Sequence, residues 1–155
     1  MKGIAELRNV TKTFAKKTVL DSVNLQIIDG EILALLGPNG SGKTTLLKIL
    51  ASILRPTDGE IHFCGVKVTD QNVEKIRMES TLVFQKTALF SMTVYDNIAY
   101  GLRIRRVTKN EIDYKVAQVL KLVRLEGFEK RSAKKLSGGE QQRVALARAL
   151  ALNTR

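Results

Sequence analysis

The chain has 155 residues, 44% hydrophobic and 26% charged, a composition that suits a globular domain with its own core and excludes a disordered polymer. Its longest apolar run, Ile32 to Leu36, is far short of the ~20 residues that span a bilayer. Met1-Lys2-Gly3 opens no apolar leader either, so a cytosolic location is expected. Lysine and arginine number 26 against 15 acidic residues, a formal charge of +11, which invites an anionic partner: nucleotide, nucleic acid or membrane surface.

From the N-terminus, Ile4 to Val10 reads as a strand, and Val23, Leu25 and Ile27 alternate with Asn24 and Gln26 at the period of a half-buried one, so the chain opens on an antiparallel element. The unbroken run Ile32-Leu33-Ala34-Leu35-Leu36 predicts a strand buried on both faces of a parallel sheet. Leu46, Leu47, Leu50, Ile53 and Leu54 recur at helical spacing until Pro56 and Gly59 stop them. "GEIHFCGVKV" predicts a hairpin turning near Gly65, and "TLVFQ" a strand ending at Gln85. Beyond Thr93, Val94, Ile98 and Leu102 lie four apart. Thr108 and Glu111 form a capping box before the amphipathic set Ile112, Val116, Val119, Leu120 and Val123. The basic runs Arg103 to Lys109 and Lys130 to Lys135 flank helices and read as solvated faces. Without interleaved aromatics they form no stacking platform for single strands. A lone cysteine, Cys64, can form no internal disulfide.

Two stretches carry chemistry. "GPNGSGKTT" comprises Gly37, Pro38, Asn39, Gly40, Ser41, Gly42, Lys43, Thr44 and Thr45, and fits the P-loop pattern between a strand and a helix. Glycines let successive backbone N–H groups turn toward one anion, and the helix that follows adds the positive end of its dipole. Lys43 would then reach the β and γ phosphates, and Thr44 would offer a hydroxyl to Mg2+. A hundred residues later, Ser137, Gly138 and Gly139 open a helix with a hydroxyl and free N–H groups, a second start of the same kind. One nucleotide seldom needs both from one molecule, so the second start is expected to complete a site on another copy.

Taken in order, "GPNGSGKTT", Gln85 at a strand end and "LSGGEQQRVALARAL" resemble the nucleotide-binding subunit of an ATP-binding cassette (ABC) transporter of importer type, over essentially the whole chain. The resemblance implies an α/β fold: a P-loop NTPase core with an N-terminal antiparallel β element over 1–85, a small helical subdomain over 86–135, and a signature motif and helix over 136–155. It implies ATP and Mg2+ as cofactors, with Phe14 stacked on adenine, although a core phenylalanine is the other reading of Phe14. It also implies Gln85 at Mg2+ and the attacking water, and Ser137, Gly139 and Gln141 closed over the γ-phosphate held by a second subunit in a head-to-tail dimer. The other partners would be transmembrane permease subunits at the cytoplasmic face of the membrane. Within "ALFSMTVYDNIAYGLRIR", Leu89, Phe90 and Val94 either line the groove for a permease helix or are buried in the subdomain.

Family members continue past the signature helix into a strand ending in Asp-Glu and then a histidine loop. These 155 residues carry neither, and His62 lies too early to be that histidine. The sheet is therefore expected to be incomplete, with apolar edges around Ile32 to Leu36 left uncovered, and these residues alone are expected to bind nucleotide weakly and turn it over negligibly. The solute expectation is a small oxyanion such as tungstate, molybdate or phosphate. The competing readings are a soluble ABC-type ATPase acting on nucleic acid or ribosomes, a nucleotide-binding remnant without turnover, and a P-loop small-molecule kinase, which leaves Leu136 to Gln141 without a role.

Overall fold

The computed structural model describes residues 3–154; Met1, Lys2 and Arg155, the chain ends weighed above, lie outside them. The chain divides into two compact units, one ending at Leu82 and the other running from Val83 to Thr154.

In the first unit, β1 (Gly3–Phe14), β2 (Lys17–Ile28), β3 (Asp58–Phe63) and β4 (Val66–Lys67) form one antiparallel sheet in the order β2-β1-β3-β4. Alternation sets the register: Leu7 stands opposite Leu25 on one side and Ile61 on the other, and Val10 opposite Val23. The sheet face Leu7, Val10, Leu20 and Ile61 buries against Leu46 and Ile49 of helix α1 (Lys43–Leu50). Each such side chain contributes about 1.5–3 kcal/mol when fully covered. The β3–β4 turn falls at Cys64-Gly65, as the sequence predicts. Gly59 is fixed by close approach: its φ is +87°, and a Cβ there would stand 2.3 Å from the carbonyl oxygen of Asn9 across the β1–β3 pair.

Two expected strands are not formed. The segments 31–38 and 81–84 have no regular secondary structure, and Ile32 and Leu36 are 98% and 93% exposed. A strand exists only through its ladder, and among the described residues no strand lies alongside either segment. Their apolar composition suits a buried strand, but composition cannot supply the neighbour. A short helix, α2 (Val73–Glu79), went unread because it buries only Ile76.

The second unit is helical: α3 (Val94–Ile104), α4 (Lys109–Leu122) and α5 (Gly138–Leu150). Val94, Ile98 and Leu102 pack with Ile112, Val116 and Leu120 around Val144 and Ala147, so the signature helix belongs to the helical core. Its alanines present little bulk on that face, which lets the helices meet closely. Val94 is therefore buried and Leu89 packs against the same core, whereas Phe90 is exposed and lies beside Tyr100, ring centroids 4.6 Å apart.

Candidate functional site

Helix α1 begins at Gly42, whose backbone is left-handed at φ +90°, and neither a capping side chain nor an acidic residue occupies its start. The helices α3, α4 and α5 each begin on a hydroxyl that accepts from the third backbone N–H: Thr93, Thr108 and Ser137. The first N–H groups of a helix have no partner within it. Left uncapped at α1, they form with the positive dipole end a place for an anion. Gly42 is required as well as permissive: a Cβ would stand 2.9 Å from both the Val19 carbonyl oxygen and Leu20 Cδ2, so the loop closes down directly on β2.

Above that helix start the loop turns at Ser41, whose N–H donates to Pro38 O at 3.3 Å. Lys43 Nζ donates to Gly37 O and Pro38 O, both at 2.8 Å, and to Ser41 Oγ at 3.3 Å. The ammonium thus spans the loop and holds its curl. Thr44 is exposed beside it and Thr45 half-buried. Asn39 and Gly40 are exposed at the loop tip.

Phe14 ends β1 and is 47% exposed, so it is no core residue. Two residues before it, Lys12 pairs with Leu20, the residue that meets Gly42. The aromatic therefore lies about 7 Å along the strand from the level of the loop. That brings Phe14 and residues 37–45 to one end of the β1–β2 hairpin.

In the second unit, Gln85 is exposed at a bend and belongs to no strand. The start of α5 differs from that of α1. Ser137 Oγ accepts from Glu140 N at 3.4 Å and donates to Glu140 Oε2 at 2.8 Å, and Ser137 N donates to the same oxygen at 2.7 Å. This is a complete capping box, legible as Ser-x-x-Glu yet read above as an open anion site. Gln141 Nε2 turns inward to Leu136 O at 3.0 Å, while Gly139 is exposed.

The backbone N–H of Ser137, and then its hydroxyl, hold the Glu140 carboxyl below the usual carboxylate range. A carboxylate held low stabilises the fold above its unfolded pKa, and that contribution is lost as pH falls through the folded value. Ser137→Ala is expected to lower the stability of the helical unit by about 1 kcal/mol. Glu140→Ala should lower the urea midpoint at neutral pH and converge with the parent in acid. A midpoint difference that stayed constant through the carboxylate range would contradict this assignment.

Residues 20–155, which include both glycine-rich stretches, match the family model described as ABC transporter. The chain belongs to the ABC transporter family. The spermidine/putrescine import ATP-binding protein PotA of Clostridioides difficile (strain 630) is 50% identical over 97% of this chain and 43% of its own length. The Fe(3+) ions import ATP-binding protein FbpC of Escherichia coli O157:H7 is 45% identical over 97% and 43%. This ABC chain thus spans less than half the length of these curated relatives. A dimeric, post-hydrolysis structure of the ATP-binding cassette MJ0796 bound to ADP and Pi superposes with a TM-score of 0.88 at 36% identity, covering 97% of this chain and 71% of that one. The fold is accordingly the α/β fold of an ABC ATPase, with its N-terminal antiparallel sheet and helices present and its sheet open. Among the described residues, no helix is long and apolar enough to cross a membrane.

Proposed function

We propose that this chain is the nucleotide-binding part of the ATPase subunit of a membrane importer, and that the intact protein hydrolyses ATP. The observation that carries the reading is the uncapped, glycine-lined start of α1 with Lys43 Nζ held across it, in a chain of the ABC family. In binding, the β and γ phosphates take the loop N–H groups, and Lys43 exchanges Gly37 O and Pro38 O for phosphate oxygens. Each new bond then joins two ionised groups, where the old ones paired an ammonium with neutral carbonyls. Phe14 stacks on the purine. Mg2+ takes hard oxygen donors, the class to which the Thr44 hydroxyl and, separately, the Gln85 amide oxygen belong, and the ion would neutralise phosphate charge where it binds.

Ser137, Gly139 and Gln141 act on the γ-phosphate of a second subunit in a head-to-tail dimer. For Ser137 to donate there, its hydroxyl must turn away from Glu140, so closure exchanges an internal anion for an external one. The exposed, adjoining rings of Phe90 and Tyr100 support a face that receives permease subunits, with the protein at the cytoplasmic side of the membrane. For the solute, relatives named for polyamines and Fe(3+) support import of small ions and lend no support to tungstate, molybdate or phosphate.

The test is the oligomeric state of the intact protein. Under Mg2+-free conditions that slow turnover, ATP is expected to convert monomers to dimers in sedimentation, with hydrogen exchange slowed at Ser137 to Glu140. A protein that stays monomeric at saturating ATP, with those amides exchanging freely, would overturn the shared-nucleotide reading.

A further inference from the structure

The end of β1 is clamped beyond what the sheet requires. Thr13 N donates to Thr57 Oγ1 at 3.0 Å, and Thr57 N to Thr11 O at 2.8 Å. Between those threonines, Lys12 Nζ donates to Arg55 O at 2.7 Å and stands 5.2 Å from the centroid of the Phe14 ring. A carbonyl on another segment therefore fixes this ammonium in space, and an ammonium at that distance attracts the negative face of an aryl ring. The ring has two faces, and the cation takes one.

We propose that Lys12 is the positioning residue of the base platform: pinned by Arg55 O, it holds one face of Phe14 so that the other is presented to the purine of ATP. The inference rests on the reading that Phe14 stacks on the base. Three observations support it together. Phe14 is half exposed at the hairpin end and buried in no core cluster, so packing alone does not fix its ring. Lys12 and Phe14 are two apart on β1, and across the irregularity in pairing at Lys12-Thr13 the ammonium comes to lie over the Phe14 ring. Lys12 pairs with Leu20, which touches Gly42, so the clamp that orients the ring is tied through one residue to the phosphate loop. A cation on the far face also draws electron density from the ring, leaving the near face less negative toward an electron-rich purine.

The experiment compares Lys12→Met, Lys12→Arg and Phe14→Ala in the intact ATPase by calorimetric titration with ATP and, separately, with inorganic tripolyphosphate, which has no base. Lys12→Met is expected to weaken ATP about 2- to 5-fold, the worth of an exposed cation–π contact, and to leave tripolyphosphate unchanged. Lys12→Arg should restore ATP binding, because guanidinium keeps both the donor and the charge over the ring. Phe14→Ala should weaken ATP at least as much, again without touching tripolyphosphate. Unchanged tripolyphosphate binding also certifies that each variant is folded.

If Phe14→Ala weakens ATP while Lys12→Met does not, the positioning role is wrong and the stacking reading survives. If Phe14→Ala binds ATP like the parent, the stacking reading fails and takes the role of Lys12 with it. Equal losses of ATP and tripolyphosphate in Lys12→Met would make Lys12 a charge acting on phosphate or a prop of the fold, and would overturn the proposal.

Discussion

Lys43→Ala in the intact protein is expected to weaken ATP binding by roughly two orders of magnitude, the upper range for losing a hydrogen bond to a charged group. Lys43 Nζ is the one cation held over the loop 37–42 among the described contacts, and its present partners are two carbonyls and a hydroxyl that gain little from it. Its removal should therefore cost stability little while stripping the phosphates of their nearest positive charge. Lys43→Arg should not rescue, because a planar guanidinium is too broad for a turn closed at Ser41 N to Pro38 O. Titration with tripolyphosphate sharpens the test. Lys43→Ala must weaken that ligand as much as ATP, the opposite of the behaviour expected at Lys12. Parent-like binding of both ligands by Lys43→Ala would remove the phosphate role from this loop altogether.

The second glycine-rich start should respond differently, since α5 supplies its own anion. Ser137 and Glu140 already satisfy one another, so a substitution there acts first on the helix and only then on a shared nucleotide. The two stretches look alike in composition, and reading both as open amide nests overlooked the glutamate three residues past the serine. The spacing that identifies a capping box at Thr108 and Glu111 identifies one here too.

Elsewhere, legibility followed the range of the interaction. The antiparallel hairpins could be read because alternation and turn residues lie within the segments that pair. So could α3 and α4, whose buried faces repeat within single helices. Ile32 to Leu36 and the stretch ending at Gln85 could not, because a parallel strand is defined by neighbours distant in the chain, and none stands beside these segments among the described residues. The exposure of Phe14 is implied by the family resemblance and not by its neighbours in sequence. Nothing in "VTKTF" says that β1 runs on to the hairpin end, past the last covered pair, where an aromatic is left open to solvent.

Asn97 was missed for a related reason and has the largest expected structural effect. It is 0% exposed on α3, on the face built from Val94, Ile98 and Leu102, where an amide has no evident place. Its Oδ1 accepts from Phe90 N at 2.8 Å, and its Nδ2 donates to Phe90 O at 3.1 Å and Thr93 O at 2.9 Å. One side chain thus closes the segment before α3 back onto the helix. Asn97→Leu, near in volume and better suited to the core, should nevertheless destabilise the helical unit by about 2 kcal/mol, since it leaves Phe90 N–H without its partner and takes one of two donors from Phe90 O and Thr93 O, which keep the N–H groups of Met92 and Asn97. Asn97→Asp should fare little better, for a carboxylate accepts from Phe90 N but cannot donate to either carbonyl. Released from Asn97, Phe90 should lose its register with Tyr100 and with Arg148, whose guanidinium lies 5.7 Å from the ring, and its N–H should exchange rapidly. Because the hydrogen bonds of the Asn97 side chain stay within the helical unit, tripolyphosphate affinity should remain at the parent value. An Asn97→Leu protein that melts like the parent and keeps Phe90 N–H protected would refute the role given to this amide, and the segment would then be held by its apolar contacts alone.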